Sequence, residues 1–95
     1  MKERLVISTA SVPSLPRGVK LRFDQARDRW VVLAPEKIFE PDPIALEIIK
    51  RCDGEATVEA IVDDLAANFQ ADRAVIEKDV TALLQDLADK GIMTG

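Results

Sequence analysis

The amino-acid sequence predicts an α+β domain, winged-helix-like in its inventory, with a three-stranded antiparallel sheet followed by a three-helix bundle. Three observations carry this. Apolar and polar residues alternate over 19–24 and an aromatic and β-branched run follows at 29–33; from residue 43 onward apolar residues recur at helical spacing; and the two patterns form separate blocks. The chain's 95 residues suit one domain, since domains run to about 100 to 200 residues. Hydrophobic residues make up 47% and charged residues 32%, as in ordinary globular chains.

Residues 1–16 read MKERLVISTASVPSLP, too rich in Ser, Thr and Pro for sustained periodicity, and are expected to be a flexible tail or linker preceding a folded domain over 17–95. Val19, Leu21 and Phe23 alternate with Lys20, Arg22 and Asp24, which predicts a strand with one buried face. Gln25 to Asp28 supplies the polar break of a hairpin, and Arg29 to Leu33, aromatic and β-branched, forms the second strand. Pro35 interrupts, so Glu36 to Glu40 is expected as a short third strand at the sheet edge.

Asp42 is placed to cap a helix and Pro43 suits its first position, which predicts a first helix from Pro43 to Arg51. Its Ile44, Ala45, Ile48, Ile49 and Cys52 form one stripe, and Asp53-Gly54 ends it, the glycine free to take the left-handed conformation. Thr57 caps a second helix whose Val58, Ile61, Val62, Leu65 and Ala66 face the core. Asn68 to Ala71 breaks that pattern. Asp72 then caps a third helix, reaching Gly91, with Ile76, Val80, Leu83, Leu84 and Leu87 inward; Ile92 and Met93 tuck back.

Absences narrow the chemistry. The chain has no histidine, no tyrosine and one cysteine, which removes the usual general base at neutral pH, the commonest zinc ligand and any intramolecular disulfide. The four glycines lie too far apart for a phosphate-binding loop. No pattern calls for a metal or cofactor. Cys52, on an apolar stripe, reads as a buried structural thiol; Asp63-Asp64 and Asp86 with Asp89 read as solvated helix surface; Trp30 reads as a core or rim aromatic. The chain has no run of the roughly 18 apolar residues a membrane span needs, nor a signal-peptide h-region in its first residues. With a lone thiol, this points to the cytoplasm and away from membranes.

The net charge of −4 hides an asymmetry: residues 1–51 hold ten bases and seven acids, net +3, whereas residues 52–95 hold three bases and ten acids, net −7. The acidic half is either plain solvated helix surface or a face for a basic partner. Three helices beside a short sheet also form the inventory of winged helix-turn-helix DNA-binding regulators, the alternative reading. Against it, residues 72–90 carry five acids and three bases, unfavourable for contact with a polyanion. An edge strand beside a helix also suits a peptide, which adds to the sheet and places alternate side chains in pockets. Lys37 and Phe39 share one face of the third strand and Ile38 the other. Glu36, Lys37 and Glu40 equally suit an edge protected from pairing. Both readings of that edge stand.

Four segments carry a resemblance. Leu15-Pro-Arg-Gly-Val-Lys-Leu-Arg-Phe-Asp, Arg29-Trp-Val-Val-Leu-Ala-Pro-Glu-Lys, Cys52-Asp-Gly with Thr57-Val, and Ile76 to Val80 before Leu83, Leu84, Leu87 and Gly91 resemble the PqqD family of pyrroloquinoline quinone (PQQ) biosynthesis over about residues 15 to 93. The Leu-Ala-Pro-Glu run and the Asp-Gly between helices are its most specific parts. The family is the prototype of the RiPP recognition element, a domain that binds the leader of a ribosomally made precursor peptide. The resemblance implies a non-catalytic chaperone that holds the precursor PqqA and presents it to the radical S-adenosylmethionine enzyme PqqE. The guest would add to the third strand and lie against the third helix. On this chain the implied contacts are Glu36, Lys37, Ile38, Phe39 and Glu40, with Arg73, Ile76, Glu77, Asp79, Val80 and Leu83 on the helix.

Overall fold

The computed structural model describes residues 6–95, and the order of elements is the expected one. Strands β1 (Lys20–Asp24), β2 (Arg29–Ala34) and β3 (Lys37–Phe39) form an antiparallel sheet in the order β1-β2-β3, and helices α1 (Pro43–Lys50), α2 (Val58–Phe69) and α3 (Arg73–Asp89) follow.

Each helix begins where its capping residue places it. The Ala45 N–H donates to the Asp42 carboxylate at 2.7 Å, the Ala60 N–H to the Thr57 hydroxyl at 3.1 Å, and the Ala74 N–H to the Asp72 carboxylate at 2.9 Å. These bonds satisfy donors that a helix cannot pair internally. The ends differ somewhat from expectation. α1 stops at Lys50, and Gly54, with φ of 81°, takes its left-handed conformation later, in the loop to α2. α2 continues through Asn68 to Phe69 because Gln70, not a glycine, adopts the left-handed cap with φ of 49°. The third strand is shorter than expected. Ala34 pairs with Lys37, so the chain must reverse through Pro35 and Glu36, and Glu36 sits in that turn with φ of 61°.

Across the ladder Leu21 faces Val32, and Val32 faces Phe39. Directly opposed residues share a face, so this row points to the helices. Val32 joins Ile48, Ile61, Val80, Leu84 and Leu87 in one buried cluster, with Leu21, Phe39, Ile76 and Leu83 packed at its margin. Trp30 closes one side of the core. Its ring meets Phe23 edge-on with centroids 5.6 Å apart, and the Lys50 ammonium lies 5.2 Å from its centroid, tying the sheet to the end of α1.

The expected N-terminal tail requires a correction. Residues 1–5 of it lie outside the described residues, but from Ile7 onward it forms part of the body. Ile7 and Pro13 are buried, and the Ile7 N–H donates to the Gln85 side chain at 2.8 Å. The Val58 and Glu59 N–H groups donate to the carbonyls of Ser11 and Thr9 at 2.8 and 3.0 Å, and Ser14 pairs with Thr94 through both backbone groups. The segment lacks periodicity because it supplies acceptors to the start of α2 and a partner to the C-terminal residues.

Three stability outcomes follow from this packing. Leu84→Ala, at a fully buried position, lowers unfolding free energy in urea by about 3 kcal/mol, whereas Ile38→Ala on the exposed side of β3 changes it by less than about 0.5 kcal/mol. Removing residues 1–14 lowers it by roughly 2 kcal/mol or more, since the burial of Ile7 and Pro13 is lost.

Candidate peptide-binding groove

β3 lies at one edge of the sheet, with its outward backbone groups free of a ladder partner among the described residues. α3 runs beside it in the opposite direction. The Lys37 ammonium donates to the Lys90 carbonyl at 3.0 Å, anchoring the start of the strand to the end of the helix. At the other end, Pro43 and Ile44, just beyond β3, border the first turns of α3. There the three helices leave an open groove of about 550 Å³, with Ile48, Leu65 and Val80 at its base and Ile44, Phe69 and Val75 around its mouth. Those three mouth residues are 70%, 56% and 55% exposed. A cluster of this kind is unusual on a small domain unless something binds there.

The expected contact residues divide into groups. Ile76, Asp79 and Val80 come together in the groove. Lys37 and Phe39 face the helices, Phe39 against the core, while Ile38 faces outward and is 59% exposed. Leu83 is half-buried at the core margin. Glu36 lies in the turn. Glu40 lies past the strand, bonded to Arg27 and Arg29 at 3.2 Å each. Arg73 turns towards α2, where it bonds Asp63 at 2.6 Å, and Glu77 lies 3.9 Å from it. Ile44, Phe69 and Val75 were not among the expected contacts. Periodicity puts Ile44 on the buried stripe of α1, but it is exposed at the mouth of the groove. Their signal in the sequence is modest: Phe69 and Val75 are apolar residues outside the inward stripes of their helices.

Asp63, Asp64 and Asp86 form surface ion pairs, and Asp89 accepts a hydrogen bond from the Gln85 amide. Arg51 holds both Glu47, at 3.0 Å, and Asp64, at 2.5 Å, joining α1 to α2. The hydrogen bond from Arg51 is the main cause that keeps each carboxyl below its ordinary value, 4.5 for Glu47 and 3.8 for Asp64. A carboxyl depressed on folding stabilises the fold above its ordinary value and loses that contribution as pH falls through the depressed one. Cys52 is buried and its thiol donates to the Ile48 carbonyl at 3.2 Å. Burial, aided by the Asp53 charge, pushes its pKa up to about 12. Such a thiol is a poor nucleophile at neutral pH. Among the described residues no group of three or more His, Cys, Asp or Glu side chains is arranged to hold a metal ion, and no helix is long and apolar enough to cross a membrane.

Comparison with solved structures defines the class first. The fold matches the NMR structure of the PqqD truncation of Methylobacterium extorquens PqqCD, described as a functional and stand-alone RiPP recognition element, with a TM-score of 0.80, 43% identity and coverage of 94% of this chain and 95% of that one. A crystal structure of PqqD from Xanthomonas campestris, 48% identical, covers 88% of this chain and 93% of its own at a TM-score of 0.56. The chain belongs to the PqqD family: the family model for coenzyme PQQ synthesis protein D matches residues 29–93. It is 58% identical to a PqqA binding protein of Rhodopseudomonas palustris strain BisB5, over 95% of this chain and 88% of that one. It is also 43% identical to the bifunctional coenzyme PQQ synthesis protein C/D of Methylorubrum extorquens, over 96% of this chain and 24% of that longer protein.

Arg51→Ala is expected to move both carboxyl titrations up towards 4.5 and 3.8 in carbon-detected NMR. The same variant loses less stability than the parent on acidification below the ordinary carboxyl range. Cys52 is expected to resist a thiol-reactive dye in the folded protein and to react fully once denaturant exposes it.

Proposed function

We propose that this protein is a non-catalytic peptide chaperone of PQQ biosynthesis that binds the ribosomal precursor PqqA and presents it to the radical S-adenosylmethionine enzyme PqqE in the cytoplasm. The observation that carries the reading is the apolar groove at the end of the β3 edge, with Ile44, Phe69 and Val75 exposed around its mouth. Relatives named PqqA binding proteins over nearly the whole chain support the identity of the guest. A relative fused to the synthesis protein C supports a place beside the pathway's enzymes.

In this reading the guest adds as a strand to Lys37–Phe39, where backbone bonds hold it with little regard to its sequence. An apolar side chain of the guest then enters the groove over Val80, beside Ile76. Asp79 lines the same groove and has no ion pair among the described residues, so it favours a guest with a basic residue at that point. The domain's part is to fix conformation and local concentration for another protein's active site.

The test is titration of the labelled chain with PqqA peptide. Ile44→Asp and Val75→Asp, at exposed positions, weaken binding more than tenfold while melting stays near that of the parent, because burial of one apolar side chain contributes roughly 1.5 to 3 kcal/mol. Unchanged affinity in both folded variants excludes the groove. The DNA-binding alternative has the acidic α3 against it, and duplex DNA at about 50 mM salt gives no retained complex.

A further inference from the structure

The opposite edge of the sheet carries a different surface. Among the described residues β1 is paired only with β2, so its other side also presents unpaired backbone groups. A groove of about 650 Å³ runs beneath this edge, with Leu15, Leu21 and Ile49 in its floor and Lys20, Arg22 and Lys50 among its lining. Lys20 and Arg22, with Arg17 just before them, are exposed and form no ion pair with a described residue. Lys50 lies 3.6 Å from Glu47, an exposed contact that leaves most of its charge available.

The register states what such an edge accepts. Lys20 and Arg22 pair with Leu33 and Val31 and lie on the face away from the helices, whereas Leu21 and Phe23 lie on the helix side. Phe23, although on that side, is 43% exposed. In a strand laid along β1, the residue opposite each β1 residue shares its face, whichever way the strand runs. Opposite Lys20 and Arg22 an acidic side chain is favoured; opposite Leu21 and Phe23 an apolar one is.

We propose that the free edge of β1 is a second strand-accepting dock, which takes an extended segment of a partner protein alternating acidic with apolar side chains. Charged edge residues ordinarily keep strands apart. Here they have one sign at alternate positions beside a groove bordered by Leu15 and Leu21, so they reject basic strands and admit acidic ones. The proposal is independent of what β3 binds. Because the docks lie on opposite edges, a guest at β3 and a partner at β1 occupy the domain together.

The test uses the full chain, nitrogen-15 labelled, and a blocked peptide alternating glutamate and valine, with a lysine-valine peptide as control. The acidic peptide is expected to shift amides in residues 15 to 24 and 49 to 52 saturably, and the basic one to leave them unmoved. Lys20→Glu with Arg22→Glu, checked for folding, weakens the acidic peptide about tenfold or more. The control peptide decides the matter in the parent protein even if the double variant fails to fold. Equal shifts with both peptides, no saturable shift, or shifts centred on residues 37 to 44 and 73 to 83 would overturn the proposal; the last would mean the peptide had merely substituted for a guest at β3.

Discussion

A three-stranded sheet of this size has one face that helices cover and two edges that no described strand covers, and Val32 is where that constraint is met. It lies on the central strand, between Leu21 and Phe39 across the ladder, fully buried beneath the helices. A strand pair would be too small to fold around, and closure into a barrel would leave no edge. With three strands, burying the Val32 row against helices leaves β1 and β3 open on opposite sides.

α3 borders an open groove beside the β3 edge. Val80, Leu84 and Leu87 are fully buried, so the helix is held by its middle and C-terminal half. Its first turns extend past the core. There Val75 and Ile76 meet Ile44 and Phe69 around a groove that the protein itself leaves unfilled. The ion pairs at Arg51 and Arg73 join α1 to α2 and α2 to α3. As exposed pairs they contribute little stability.

All six elements are legible because each has a local cause: alternation for β1, aromatic and β-branched residues for β2, the Pro35 break for β3, and Asp42, Thr57 and Asp72 for the helix starts. The departures share a different cause. Glu36 was read as strand, but the Ala34–Lys37 pairing forced it into the turn. Residues 1–16 have no period of their own and so suggest a tail, yet Ile7 to Ser14 are held by groups on α2, α3 and the C-terminal residues. Ile44 was read as core because periodicity does not reveal where along a helix the facing layer ends.

The amino-acid order by itself determined which segments are strands and helices, which face of each is apolar, where the helices begin, and that the charges divide into a basic first half and an acidic second half. Those features depend on neighbours within a few residues. Only the tertiary structure decided which apolar residues stay uncovered, because burial depends on what another part of the chain places opposite them. Ile44, Phe69 and Val75 come from three different helices, and Leu15, Leu21 and Ile49 at the other edge from a loop, a strand and a helix. Each group becomes a surface only when the helices settle on Val32.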